Sequence, residues 1–162
     1  MPIVIKKPET EDEIRGKAFV FWRASHEAEA GIVSPAWLES LTLEKCEQMA
    51  LRRTDDILIA KDGDQVVGFV FYGDRGSEAP GVGEIFSLYL LPEYFGTGLS
   101  RRLMDAGLAQ LEDYPKICLW VLADNGRAIR FYEKCGFCPD GEAAISPRCG
   151  AKELRMVLNR SL

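Results

Sequence analysis

The 162-residue chain holds a single histidine, His26. Catalytic triads with a histidine base and multi-histidine metal sites need partners that this chain lacks. No apolar run approaches the roughly 18 residues of a membrane span, so no membrane partner is expected. Basic residues are also short: 20 Lys and Arg face 25 Asp and Glu, for a net charge of −5. Phosphate-binding surfaces of nucleic-acid proteins need the opposite balance, so no nucleic-acid partner is expected. The cysteines (Cys46, Cys118, Cys135, Cys138, Cys149) are odd in number and lack the spacing of a secreted scaffold. Reduced thiols in a cytoplasmic protein follow. The opening MPIVIKKPETEDE has no signal-peptide layout and turns acidic at once. Internal repeats, linkers and low-complexity tracts are missing too, which leaves one domain over 1–162.

What is present is globular: 47% hydrophobic and 28% charged residues, enough to bury a core. Ile3-Val4-Ile5 predicts a short strand. Thr10 to Glu13 has capping-box spacing and opens a helix to about Arg23. Ser34-Pro35 opens a second helix, and Leu43 to about Arg53 a third. Ile57–Ala60 and Val66–Phe71 are strand-like runs joined by Lys61-Asp62-Gly63-Asp64, a hairpin signal. A loop from Gly73 to Gly83 leads to a strand over Glu84–Leu91, stopped by Pro92. A helix from Gly98 to about Glu112 follows, then the apolar strand Ile117–Val121 and a helix over Asn125–Lys134. Two strands close the chain, around Ala143–Ile145 and Glu153–Leu158. The order β-α-α-α-β-β-β-α-β-α-β-β is that of an α+β, mixed-sheet fold with helices around one sheet.

Chemistry concentrates after the third long strand. Phe95-Gly96-Thr97-Gly98-Leu99-Ser100-Arg101-Arg102 carries a strand end through a glycine turn into a helix. Gly96 and Gly98 place no Cβ between the backbone and a ligand. The helix start adds unpaired N–H groups and the positive end of the dipole, together a cradle for phosphate. A simple chain turn explains the same residues. The segment has neither the P-loop ending nor the Gly-x-Gly-x-x-Gly fingerprint.

A second segment, Asn125-Gly126-Arg127-Ala128-Ile129-Arg130-Phe131-Tyr132-Glu133-Lys134-Cys135-Gly136-Phe137, joins another strand end to a short helix. Taken together, the two segments resemble the GCN5-related N-acetyltransferase (GNAT) superfamily. Phe95 to Ser100 aligns with its Gln/Arg-x-x-Gly-x-Gly/Ala acetyl-CoA motif. Asn125, Ala128, Phe131, Tyr132, Gly136 and Phe137 match its Asn-x-x-Ala-x-x-Phe-Tyr-x-x-x-Gly-Phe pattern, in the family's order and spacing. The element pattern from about residue 3 to 158 fits that fold: six to seven mostly antiparallel strands, one splayed parallel pair, and flanking helices.

The resemblance implies acetyl-CoA as co-substrate, no metal, and transfer of its acetyl group to a primary amine by direct nucleophilic attack. A small-molecule amine is the first expectation for the acceptor. A protein or peptide amine, or a non-catalytic acyl-CoA-binding module, is the alternative, and a homodimer is compatible with the family. The pantetheine arm would pair with the main chain of Leu88, Tyr89 and Leu90. The pyrophosphate would sit on the N–H groups of Gly96, Thr97, Gly98, Leu99, Ser100 and Arg101, with Arg101 and Arg102 adding charge unless they form a solvated helix face. Asn125 would hydrogen-bond the cofactor arm, N-cap the next helix, or both. Tyr132 would protonate the departing thiolate, a task suited to a phenol of reference pKa about 10; a core aromatic is the other reading. Glu84 would act as base, or face solvent at its strand start. Phe95 departs from the family's Gln or Arg, and Ser100 from its second Gly or Ala.

The remaining features read as structural. Gly136 caps a helix within Cys135-Gly136-Phe137-Cys138, which lacks a partner pair for zinc. His26 reads as a surface or capping residue. Trp22, Trp37 and Phe21 read as core. Glu27, Glu29, Glu39 and Glu44 form a solvated acidic face that could favour a cationic acceptor.

Overall fold

The computed structural model describes residues 2–75 and 79–160. Residues 76–78, within the expected Gly73–Gly83 loop, lie outside the described residues. Elements run β1 (Val4–Lys6), α1 (Glu11–Ala28), α2 (Pro35–Ser40), α3 (Leu43–Arg52), β2 (Ile57–Asp62), β3 (Gln65–Asp74) and β4 (Val82–Leu90). After a 3-10 turn at Pro92–Tyr94 come α4 (Leu99–Gln110), β5 (Lys116–Leu122), α5 (Gly126–Lys134), β6 (Cys138–Ile145) and β7 (Lys152–Asn159). The seven strands form one sheet in the order β1-β2-β3-β4-β5-β7-β6. Every neighbouring pair is antiparallel except β4 and β5, which run parallel. The expected order of elements is met in full. The first helix runs five residues past the expected Arg23, to Ala28, which takes His26 inside it.

Local chemistry explains the boundaries. Thr10 caps α1 by accepting from the Glu13 N–H at 3.1 Å. The Glu13 carboxylate accepts from the Glu9 N–H at 2.7 Å and pairs with Lys6 and Lys61, each at 2.9 Å. That buried carboxylate joins β1, α1 and β2. Ser34 and Thr42 cap α2 and α3 in the same manner.

The two sheet faces carry different helices. Phe69 faces α1, where its neighbour Tyr89 meets Phe21 edge-on with 5.3 Å between ring centroids. Val70, the next residue, points to the opposite face and touches Gly107 of α4. Leu99, Leu103 and Met104 of α4 are almost fully buried against the sheet. Each such side chain contributes about 1.5–3 kcal/mol on leaving water. At the far end of α4, the Arg160 guanidinium donates to the Leu108 and Tyr114 carbonyls at 3.3 and 3.0 Å and also to that of Leu111. The Leu108 and Leu111 carbonyls also accept from the Leu111 and Tyr114 N–H groups, so the guanidinium adds a second donor to each at the helix end. Fixed in this way, α4 holds its other end at the glycine turn.

Candidate active site

The parallel pair β4–β5 is hydrogen-bonded only from Val82↔Lys116 to Glu84↔Cys118. Beyond that point β4 stays with β3 as far as Leu90, and β5 stays with β7 as far as Leu122. The two strands therefore diverge, and each presents a backbone edge with no ladder partner. A bulge lies at the point of divergence: Phe71 pairs with Ser87 and Tyr72 with Ile85, which leaves Phe86 extra. Bulges bend a strand and strengthen its twist. The gap opens into a cleft of about 620 Å³ lined by residues of α1, α3, β3, β4, β5 and α5.

Leu88, Tyr89 and Leu90 lie on the diverging part of β4, paired on one side with Val70, Phe69 and Gly68 of β3. Past them, the chain turns through Gly96 (φ +77°) and Gly98 (φ +87°), the left-handed region where a side chain is strained. A Cβ at either glycine would meet nothing within 4 Å, so this turn faces open space. Of the N–H groups here, Thr97 bonds the Tyr94 carbonyl and Leu99 makes a long bond to Thr97 Oγ1, 3.4 Å. Those of Gly96, Gly98, Ser100 and Arg101 find no acceptor among the described residues. Four donors at the positive end of α4 make an anion cradle.

The side chains around the cradle differ from expectation. Arg101 is held by Asp105 at 3.0 Å and the Lys134 carbonyl at 3.2 Å, and Arg102 donates to the Ile3 carbonyl at 2.9 Å. Neither guanidinium is aimed at the turn by these contacts. Phe95, which stands where the family has a polar residue, instead stacks under the Arg127 guanidinium, 3.7 Å from the ring centroid. Both residues line the cleft. Positive charge thus reaches the cradle from α5, carried on an aromatic platform.

Tyr132 is fixed by the end of α5. The Phe137 N–H bonds the Tyr132 carbonyl at 3.0 Å, and the Gly136 N–H bonds that of Glu133 at 3.0 Å, with Gly136 at φ +100°. This is a Schellman cap, with the accompanying apolar contact between Tyr132 and Phe137, whose rings lie 6.3 Å apart. The Tyr132 side chain lines the cleft, and burial pushes its phenol up to about 12. It therefore stays protonated and able to donate. Asn125 caps the other end of α5, its Oδ1 accepting from the Ala128 N–H at 3.2 Å. It lines the same cleft.

Glu84 is buried at the last rung of the parallel pair and faces the cleft, not solvent. It accepts from Arg75 at 2.9 Å, with the Cys118 thiol 3.8 Å away. A second carboxylate enters the cleft from the end of α1. Glu29 is only 6% exposed and accepts from the Tyr89 hydroxyl at 2.7 Å. Burial pushes its carboxyl above the usual range and raises the Tyr89 phenol well above its own. The expected acidic face is thus divided: Glu27 pairs with Arg23 on the surface and Glu39 is exposed, whereas Glu29 is part of the cleft wall. His26 lies 2.8 Å from the carbonyls of Trp22 and Leu38 through its two ring nitrogens and ties α2 to α1. All five cysteines are free thiols, and Cys135 is buried while Cys138 is exposed. Among the described residues no group of three or more His, Cys, Asp or Glu could hold a metal ion, and no helix is long and apolar enough to cross a membrane.

The structure brings Glu84, Leu88, Tyr89, Leu90, Ser100, Asn125 and Tyr132 together around one cleft. Gly96, Thr97, Gly98, Leu99 and Arg101 form the turn and helix start at its edge. Sequence reasoning missed Arg127 and Lys17 and placed Glu29 only within an acidic face, although all three line the cleft. Arg127 was within reach, since it lies inside the second motif. Glu29 was not, because its partner Tyr89 is 60 residues away.

A strand pair that splays, an N–H cradle and a capped tyrosine on the next helix define an acyl-CoA-binding transferase fold. The acetyltransferase (GNAT) family model matches residues 19–137, and the chain belongs to that family. Among relatives, it is 31% identical over 132 residues to a mycothiol acetyltransferase of Corynebacterium efficiens. That match covers 80% of this chain and 43% of the relative, so the chain spans less than half the relative's length. Among solved structures, PH1933 from Pyrococcus horikoshii superimposes with a TM-score of 0.75 at 25% identity, over 99% of this chain and 100% of that one. The PaiA N-acetyltransferase of Thermoplasma acidophilum, crystallised with coenzyme A, shares the fold with a TM-score of 0.75 at 21% identity, over 98% and 99% of the two chains.

Proposed function

We propose that this chain is a single-domain, cytoplasmic N-acetyltransferase that moves the acetyl group of acetyl-CoA to a primary amine of a small molecule by direct attack. The observation that carries this is the divergence of β4 from β5, ending on four unengaged N–H groups beside a cleft that contains Tyr132. The residues fit the cofactor: the unpaired strand edges suit an amide-bearing arm, and the cradle with Arg127 suits its phosphates. Acetyl-CoA supplies an activated acyl group as a thioester. In the reaction the amine nitrogen forms a bond to the carbonyl carbon and the C–S bond breaks. Tyr132 gives its proton to the leaving sulfur, and Glu84, directly or through water, accepts the proton lost by the amine.

Direct attack also suits the thiols. Burial pushes Cys46 up to about 11 and raises Cys118, so both stay protonated and weakly nucleophilic at neutral pH. The test is thiol release from acetyl-CoA across a panel of amines, with initial velocities measured at varied concentrations of both substrates. Intersecting lines and a loss of about 100-fold in Glu84→Gln support the reading. Parallel lines point to an acetylated enzyme and overturn direct attack. Tight CoA binding without turnover for any amine would make the chain a binding module.

A further inference from the structure

Among the cations that line the cleft, Lys17 is set apart by its surroundings. Arg53 stacks on Phe71 at 4.6 Å and has Asp55 and Asp56 at 3.8 and 3.7 Å. Arg148 is near enough to Glu29 and Glu153 to act on both electrostatically. Arg127 belongs to the cradle. Lys17 projects from the middle of α1 onto aromatic faces, its Nζ 4.6 Å from the Phe69 centroid and 6.0 Å from that of Phe21. It has no hydrogen-bond or ion-pair partner among the described residues, and the titratable group that acts on it is the Cys46 thiol. Burial lowers its pKa.

An ammonium taken partly out of water without an anion is unfavourable, because a ring face returns only about 0.5–2 kcal/mol. A solvated surface lysine would avoid that cost. Here the group is instead retained in the wall of a cavity, where an incoming anion can complete it. The anion is not a cofactor phosphate. Those have their donors at the start of α4, and α4 packs on the sheet face that Val70 presents. Lys17 stands on the face that Phe69 presents, under α1. Phe21 and Phe69 flank it, Phe71, Met49 and Phe86 line the same cleft, and Glu29 adds a carboxylate that is engaged by the Tyr89 hydroxyl.

Resting on the acetyltransferase reading above, we propose that Lys17 is an anion subsite that holds a carboxylate on the amine acceptor, so that the preferred substrates are amino acids with an apolar or aromatic body. Simple amines and polyamines leave the ammonium unsatisfied and are poorer acceptors. This differs from the cationic-acceptor expectation drawn from the acidic face, because the groups that line the cleft are of both signs.

Matched pairs provide the test: phenylalanine with phenethylamine, and tyrosine with tyramine, compared by kcat/KM in the wild type and in Lys17→Met. Methionine keeps the apolar stem on the two rings and removes only the charge. The wild type should favour the acid of each pair, and that ratio should fall by about 10- to 100-fold in Lys17→Met, as for loss of one hydrogen bond to a charged group. The CoA dissociation constant should stay within twofold; a large rise would assign Lys17 to the cofactor and overturn the proposal. A second measurement needs no turnover. Calorimetry on the CoA-saturated protein should show benzoate binding that benzamide does not reproduce and that Lys17→Met weakens by about tenfold. Equal binding of benzoate and benzamide, or of benzoate by both proteins, overturns the subsite. If benzoate discriminates while no amine releases thiol, the subsite stands and acetyl transfer is what fails.

Discussion

Replacing Tyr132 with phenylalanine separates chemistry from fold more cleanly than any other change in the cleft. The ring is held by its packing on Phe131 and Phe137, with centroids 5.5 and 6.3 Å away, and by the helix cap that ends on Gly136 and Phe137. None of these contacts uses the hydroxyl, which has no hydrogen-bond partner among the described residues. Tyr132→Phe should therefore change unfolding free energy by no more than about 0.5 kcal/mol. CoA affinity should hold within about twofold, since the cradle is made of backbone N–H groups. Turnover should fall by about 100- to 10,000-fold, the usual contribution of a positioned proton donor, or about 2.7–5.5 kcal/mol of barrier. Thiol release gives kcat, calorimetry gives CoA binding, and urea titration gives stability. The pH profile adds a sign. With the phenol pushed up to about 12, the donor is protonated throughout the working range and is lost only as pH rises towards 12. A fall in wild-type activity between pH 8 and pH 10 thus belongs to another group and should persist in any residual Tyr132→Phe activity. A variant with kcat within twofold of wild type would remove Tyr132 from the mechanism.

Two further outcomes test the cradle and the frame. Arg127→Ala should weaken CoA binding by about tenfold at low salt and less at high salt, because a charge beside a phosphate site is screened by ions; calorimetry at two ionic strengths checks this, and an unchanged affinity refutes the platform role of Phe95. Glu13 is held at about 2 against an ordinary 4.5, chiefly by hydrogen bonds from Lys61, the Glu9 N–H and Lys6. Its folded pKa is lower than its unfolded one, so its stabilisation is present above about pH 4.5 and drains away as pH falls towards 2. Glu13→Gln should be less stable at pH 7 by about 1–3 kcal/mol and lose less on acidification, read from urea midpoints at pH 7 and pH 3. Parallel pH slopes in the two proteins would show that Glu13 contributes nothing to acid sensitivity.

The order of elements was legible because each boundary is written locally. Thr10, Ser34 and Thr42 cap the helices they precede, and Gly136 ends α5 with the bonds its position suggests. The glycine turn was legible for the same reason, since Gly96 and Gly98 shape it through their own backbone. Side-chain destinations were not. Arg102 sits in the cradle segment yet reaches Ile3 across 99 residues, and Glu29 sits in an acidic run yet turns inward to Tyr89. Which partner a long side chain finds depends on how distant elements stack, and no local spacing encodes that. Glu84 shows both sides: the resemblance pointed to it at its strand start, but nothing local indicated that Arg75 would hold it there.

At Phe95 the family's polar side chain is replaced by a ring that carries a cation. A polar side chain at that position would offer a donor on a flexible stem, ordered anew each time the cofactor arrives. Phenylalanine offers no donor, but its face holds the Arg127 guanidinium at 3.7 Å, so a charge that would otherwise sample solvent is already in place. The entropy of ordering that side chain is lost on folding rather than on binding. The two motifs are then coupled physically as well as by spacing, since the first supplies the ring and the second the charge. Lys17 on Phe69 repeats the device under α1, with the difference that it has no anionic partner among the described residues. In the proposed reading two cations, each preorganised on a ring in the wall of one cleft, divide the anions of the reaction between them: phosphate to Arg127 and carboxylate to Lys17. Exchanging the ring under either cation for an aliphatic side chain should loosen the anion on its own side and leave the other unaffected.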